Sequence, residues 1–226
     1  MPRKTYKKKK TTLTRRRKYK KKSMYSQSPA YPIGKTFKFK TRYVEVQKEL
    51  SLPAAGFPVH QVYTMNGLYD PDITGTGHQP IGFDQLMPLY DHYCVIGSRA
   101  RITFHNRDAS NAVLVACHLQ DNTNLATDVN QLIENGMCKW QMLGNKGAGT
   151  SVRNMVITCS PTKFFGNKVL QDEKYRGDIS NNPADQVYLH ITAQTEDAGT
   201  DSFVVSYTVE IEYIAILTEP KQLLAS

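Results

Sequence analysis

The stretch SFVVSYTVEIEYIAIL, residues 202–217, decides how the rest of the chain is read. Phe203, Val205, Tyr207, Val209, Ile211 and Tyr213 recur at every second position, with Ser206, Thr208, Glu210 and Glu212 between them. A period of two puts the first set on one face of a pleated strand and the second set on the other. β-Branched and aromatic residues fill the run, and neither Gly nor Pro interrupts it. The segment is therefore expected to be a long strand with one face in a core and the other toward polar surroundings.

Seven further strands are expected at FKFKTRYVEVQKEL (37–50), PVHQVYTM (58–65), ARITFHN (100–106), AVLVACHL (112–119), KWQML (139–143), VRNMVITC (152–159) and QVYLHITAQT (186–195). In the first, apolar parity shifts between Phe39 and Val44, the mark of a bulge or bend. In 112–119 nearly every position is apolar, as in a strand covered on both faces. Two helical interruptions are expected. FDQLMPLYDHY (83–93) puts Phe83, Leu86, Leu89, Tyr90 and Tyr93 on one stripe, with Pro88 a kink or a stop. TDVNQLIENG (127–136) has Thr127 or Asp128 as N-cap, Val129, Leu132 and Ile133 as its stripe, and Gly136 as its stop. Eight antiparallel strands with long connections and few helices predict an all-β, eight-stranded jelly-roll sandwich.

Charge divides the chain. The 226 residues hold 29 Lys and Arg against 20 Asp and Glu, a formal net charge of +9. Seventeen of the 29 lie in residues 1–42, where no acidic residue occurs, so the remainder carries −8. A largely disordered arm over 1–36 and a jelly-roll domain over 37–226 are expected. The run KKKKTTLTRRRKYKKK (7–22) cannot fold alone and suits a polyanion. Arg3, Lys4, Lys7, Lys8, Lys9, Lys10, Arg15, Arg16, Arg17, Lys18, Lys20, Lys21 and Lys22 are the candidate phosphate-binding residues. Lys35, Lys38, Lys40 and Arg42 continue the series where the first strand begins. Counterion release makes such binding steeply salt-dependent and blind to sequence. Tyr6, Tyr19, Tyr25 and Tyr31 among the charges can stack on unpaired bases, which favours single strands. The same run reads as a nuclear import signal.

Other chemistries find little support. Cys94, Cys117, Cys138 and Cys159 show no CxxC pairing and read as reduced, mostly buried thiols. His92 with Cys94, and Cys117 with His118, lack the second pair that a closed zinc site needs. His190 on an alternating strand reads as a satisfied core or interface residue. There is no GxSxG, HExxH or P-loop. The Gly-rich GNKGAG (144–149) reads as a turn, and Glu210 with Glu212 as a solvated or subunit-contacting face rather than an acid–base pair. Arg176-Gly177-Asp178 is either a polar surface turn or a displayed adhesion tripeptide. No cofactor and no enzymatic activity are expected. No stretch of 18 apolar residues suggests a membrane span.

GFDQLMPLYDHYCVIGSRARITF (82–104) resembles the region between the third and fourth jelly-roll strands of capsid proteins from circovirus-like, circular Rep-encoding single-stranded DNA viruses. YTVEIEYIAILTEPKQL (207–223) is similar to the ending of such capsids, and the basic N-terminus fits them. The resemblance implies a T=1 icosahedral shell of sixty copies around circular single-stranded DNA, with the arm inside on the genome. It also implies import receptors as partners, an unknown host-cell attachment receptor, and a place in the virion and, during assembly, the host nucleus. Sixty such arms bring about a thousand positive charges, enough to offset on the order of a thousand phosphates. Phe83, Leu86, Tyr90 and Tyr93 then anchor their segment to the body or to a neighbouring subunit. Because the arm reads charge and not sugar, two other readings stay open: the capsid of a small RNA virus, and a cellular β-domain nucleic-acid-binding protein with a basic tail.

Overall fold

The computed structural model describes residues 33–52, 58–124, 129–134, 136–195 and 201–222. The basic residues from Arg3 to Lys22, and the four tyrosines among and just after them, lie outside these ranges. The described chain forms β1 (Thr36–Leu52), β2 (Val59–Thr64), β3 (Tyr90–Asn106), β4 (Val113–Gln120), β5 (Cys138–Leu143), β6 (Val152–Cys159), β7 (Tyr188–Thr195) and β8 (Phe203–Pro220). Short helices α1 (Phe83–Leu86), α2 (Val129–Glu134) and α3 (Pro161–Phe165) sit in the connections.

The strands form two four-stranded antiparallel sheets, ordered β1-β8-β3-β6 and β2-β7-β4-β5. β1 pairs with β8, β2 with β7, β3 with β6 and β4 with β5, as in one long hairpin folded on itself. Wrapping that hairpin creates the two remaining ladders, β3 with β8 and β4 with β7. This is the expected jelly roll. The alternation of β8 is the main source of the core. Phe203, Val205, Tyr207, Val209, Ile211, Tyr213, Ala215 and Leu217 are all buried, facing Val113, Val115, Cys117, Leu189 and Ile191 of the other sheet. Each such apolar side chain contributes about 1.5–3 kcal/mol on burial. Cys94, Cys117, Cys138 and Cys159 are all free thiols.

The irregular elements differ from expectation in informative ways. The segment 83–93 is not one helix. α1 spans four residues, a 3₁₀ turn follows at Met87–Leu89 around Pro88, and the chain is extended from Tyr90. Proline supplies no amide donor and crowds the preceding turn, so the helix cannot pass it. β3 therefore begins at Tyr90, ten residues before the expected Ala100. The segment 82–104 accordingly joins the second strand to the third and supplies most of the third, rather than lying between the third and fourth. In β1 the parity shift falls later than expected, between Glu45 and Lys48, where Gln47 has a φ of 56°. α2 ends as expected, with Gly136 in the left-handed region at φ 72°.

The bulge in β1 has a physical consequence. It turns Lys48 inward, where its Nζ lies 3.2 Å from Glu45 Oε2 and 3.5 Å from Asp72 Oδ2. Tyr63 donates its hydroxyl to Glu45 at 2.8 Å. Since that proton is committed, Tyr207 must be the donor in the 2.9 Å contact between the two phenols. Asp72 is fully buried and also accepts from Gln61 at 2.7 Å and from the Thr74 hydroxyl at 2.9 Å. Two carboxylates are thus buried only because one lysine and several donors meet them.

Tyr93 organises a second polar network. Its hydroxyl accepts from the Leu68 amide at 2.9 Å and contacts Asn182 Oδ1 at 3.1 Å, and its ring packs edge-on against Phe83. Its backbone exchanges two hydrogen bonds with Gly177, at 2.8 and 3.0 Å. Arg176 is tied to Glu219 at 2.8 Å and to the Leu170 carbonyl at 2.9 Å, and Asp178 accepts from the Ser180 amide. Arg176-Gly177-Asp178 is therefore a strapped structural corner and not a freely displayed tripeptide. A Cβ on Gly177 would overlap the Tyr93 ring. Gly177→Ala is expected to lower stability by about 1–3 kcal/mol, seen as a lower urea midpoint with an unchanged m-value. An unchanged midpoint would show that the corner yields freely.

Candidate nucleic-acid interface

Burial of the inner face of β1-β8-β3-β6 determines what the outer face presents. Because β1 buries Tyr43 and Glu45, residues of the other parity, Lys38, Lys40 and Arg42, must point outward, and all three are exposed. Lys35 just before β1 is exposed as well. The register then sets their neighbours. Arg42 stands opposite Glu212 of β8, and Glu212 stands opposite Arg99 of β3. One step along, Glu210 stands opposite Arg101. Both arginines are exposed. Lys38, Lys40, Arg42, Arg99 and Arg101 thus share one sheet face with Glu210, Glu212 and, beyond the β1 bulge, Glu49, which is itself paired with Arg107 at 3.4 Å.

These cations are not equivalent. Arg42 bonds Glu212 at 2.6 Å and Glu210 at 3.2 Å, so most of its charge is already answered. Its hydrogen bond, followed by the charges of Arg42, Arg99 and Arg101, holds the Glu212 carboxyl below the usual carboxylate range. Among the four described cations expected to bind phosphate, Lys35, Lys38 and Lys40 carry the better-exposed charge, whereas Arg42 works chiefly as a bridge. Arg99 and Arg101 were not expected as binding residues. The signal for them was the spacing of two in SRARITF, where Ala100 and Ile102 take the core face.

The face also has shape. A groove of about 710 Å³ runs across it, and its lining includes Gly97, Ile214, Lys40, Arg42, Arg99 and the carboxylate of Glu212. Gly97 follows a register shift in β3 and stands opposite Ile214. Such a lining offers apolar surface that a base could cover and cations that a phosphate could meet, with the Glu212 carboxylate set against them.

The two segments that carry the sequence resemblance meet in space, both along the groove, where Gly97 stands opposite Ile214, and beyond it. His92 Nδ1 lies 2.9 Å from Glu219 Oε2, and the Lys221 amide donates to the Leu89 carbonyl at 3.0 Å. Phe83, Tyr90 and Tyr93 are buried and Leu86 is partly buried, all packed on the core of their own chain. The turn 144–149 is fastened by the Lys146 amide to the Asp108 carbonyl at 2.7 Å. Among the described residues no group of three or more His, Cys, Asp or Glu is placed to hold a metal ion, and no helix is long and apolar enough to cross a membrane.

No family model matches the chain, and no curated protein matches it. Solved structures do. The capsid structure of mud crab tombus-like virus superposes with a TM-score of 0.51 at 11% identity, over 88% of this chain and 96% of that one. The semi-empty particle of Macrobrachium rosenbergii nodavirus matches at 0.46 and 10% identity, over 95% and 100%. Desmodium yellow mottle tymovirus matches at 0.41 and 14% identity, over 90% and 100%. At such identities the first likeness shows a shared fold, the jelly roll.

The electrostatics of the face yield a direct test. Glu212→Gln removes the carboxylate beneath three arginines and leaves its shape in place. Binding of a single-stranded oligonucleotide, followed by fluorescence anisotropy at fixed salt, is expected to tighten about 2- to 5-fold. Unchanged or weaker binding would show that the strand does not visit this face.

Proposed function

We propose that the chain is the structural subunit of a small viral capsid that packages single-stranded nucleic acid. The observation that carries this is one of continuity. A jelly-roll body presents a grooved cationic sheet face, and the strand that edges this face continues directly from a basic segment bearing 14 of the 17 N-terminal charges. The body supplies shape and subunit contacts, and the N-terminal segment supplies non-specific neutralisation. The acidic balance of the remainder keeps other surfaces from clumping on nucleic acid.

Two cargoes suit such a subunit. The likeness to the shell of mud crab tombus-like virus sits better with a small RNA virus. The resemblance of 82–104 and 207–223 supports circular single-stranded DNA and a T=1 shell. The Lys7–Lys22 run also supports nuclear import under that second reading. Charge alone does not choose, since phosphate is common to both. Purified particles, opened and treated with ribonuclease or deoxyribonuclease, separate the two: ribonuclease-sensitive contents establish the RNA reading, and deoxyribonuclease-sensitive contents the DNA reading. A chain that stays monomeric in size-exclusion chromatography at every salt concentration, with nucleic acid present, would overturn the shell.

The N-terminal segment has its own test. Deleting residues 1–36 is expected to leave shells that form, by negative-stain microscopy, with an absorbance ratio near that of protein alone. Retained cargo at the full-length level would remove the packaging role assigned to Arg3 through Lys22.

A further inference from the structure

The second sheet hides an unusual cluster on its outward side. β4 and β7 bury alternate residues in the core, namely Val115, Cys117 and Leu119 on one and Leu189, Ile191 and Ala193 on the other. Their intervening residues face away from that core. Among them His118 and His190, direct register partners, are 1% and 0% exposed. Their rings stack with centroids 4.7 Å apart and planes 24° from parallel. His60 of β2 lies beside Thr192, the next outward residue of β7. Three imidazoles thus share one patch, His118 and His190 buried and His60 partly exposed.

Hydrogen bonding assigns the protons. His190 Nε2 contacts the Asn122 carbonyl at 2.8 Å, and a carbonyl can only accept, so the proton sits on Nε2. His118 Nε2 faces the Gln120 side-chain oxygen at 3.3 Å, which requires the same tautomer. Nδ1 of each ring then carries a bare lone pair. The Nδ1 atoms of His60, His118 and His190 are all buried without a hydrogen-bond partner. The satisfied core histidine expected at position 190 is therefore satisfied on one nitrogen only.

Among the described residues facing these rings from the strands there is no countercharge. From β7 the outward neighbours are Tyr188 and Thr192, from β4 Ala116 and Gln120, from β2 Val62, and from β5 Cys138 opposite His118. Burial raises the Tyr188 phenol and pushes the Cys138 thiol up to about 11, so both stay neutral. Asp121, in the connection after β4, is exposed and accepts from Asn122. The charges acting on His118 are those of His190 and His60, and those acting on His60 are of His190.

We propose that His60, His118 and His190 form an acid-operated latch on the outer face of β2-β7-β4-β5. In the neutral state the stacked His118–His190 pair holds the Asn122 connection against the sheet. Protonation puts a donor on a buried Nδ1 that has no acceptor and sets like charges ring to ring, which releases the connection. Burial lowers His60 and His118 to about 4, and it lowers His190 as well. The sign follows from proton uptake. An unfolded histidine titrates near 6.5, so below that pH the opened form binds more protons than the closed one, and closure weakens progressively as pH falls through about 4. The latch stands on the geometry of the single chain. Its use, to make an assembled particle acid-labile, rests on the capsid reading.

The test compares the full-length chain with its His118→Phe variant, which keeps a ring in the stack and removes its titration. Hydrogen exchange of Gln120–Asn124, corrected for intrinsic rate, is read at pH 7 and about pH 4.5. Wild type is expected to lose protection roughly 10- to 100-fold, and His118→Phe several-fold less. Equal losses in both, or no loss in wild type, overturn the latch. If His118→Phe does not fold, the wild-type measurement decides alone. Light scattering of particles over the same range reads the consequence. A chain that forms no particles fails the capsid reading, while the exchange result still judges the latch.

Discussion

The position of β8 between β1 and β3 is the constraint from which the rest follows. β8 pairs with both neighbours over nearly its whole length, and its inward residues are buried from Phe203 to Leu217. A strand held on two edges and one face has no freedom of register, since a slip of one residue would expose every core side chain. Its neighbours inherit that certainty. Tyr43 must face in, so Lys40 and Arg42 face out; Ala100 and Ile102 must face in, so Arg99 and Arg101 face out. The cationic face is thus a by-product of hydrophobic registration, and Glu210 and Glu212 on β8 temper it from the centre.

Departures from regular pairing occur where a polar group has to be placed. The bulge at Val46–Gln47 lets Lys48 reach Glu45 and Asp72, giving two buried carboxylates a cation. The shift after Val95 brings Gly97 onto the outer face, where it lines the groove. At the C-terminal end of β8, Glu219 adopts a φ of 62° and meets both His92 and Arg176. That residue joins the two segments whose sequences carry the resemblance. Their pairing fastens β3 to β8, and the same pairing sets Gly97 opposite Ile214 in the groove.

The two outer faces of the sandwich serve different chemistry. One is open, grooved and cationic. The other is covered at its centre, and β4 shows this in sequence: its nearly unbroken apolar run matches burial on both sides. Among the polar groups buried there are imidazoles, which can be buried neutral at modest cost and charged only at large cost.

The sequence by itself determined the strands, their number, the jelly-roll class and the segregation of charge, because a period of two and a run of like charges are local properties of neighbouring residues. It also marked Gly136 as a helix stop. It misplaced the helix in 83–93, because Phe83, Leu86, Leu89, Tyr90 and Tyr93 keep helical spacing across a proline that lets the chain turn extended. It located the β1 irregularity a few residues early, since Val44 and Val46 are apolar yet lie outside. Only the tertiary structure decided that Arg42 is bridged while Arg99 and Arg101 are open, that Arg176-Gly177-Asp178 is strapped down, and that three histidines distant in sequence share one patch. Each of these depends on register between strands far apart in the chain, and register is set by packing of the whole sandwich, which no local pattern encodes.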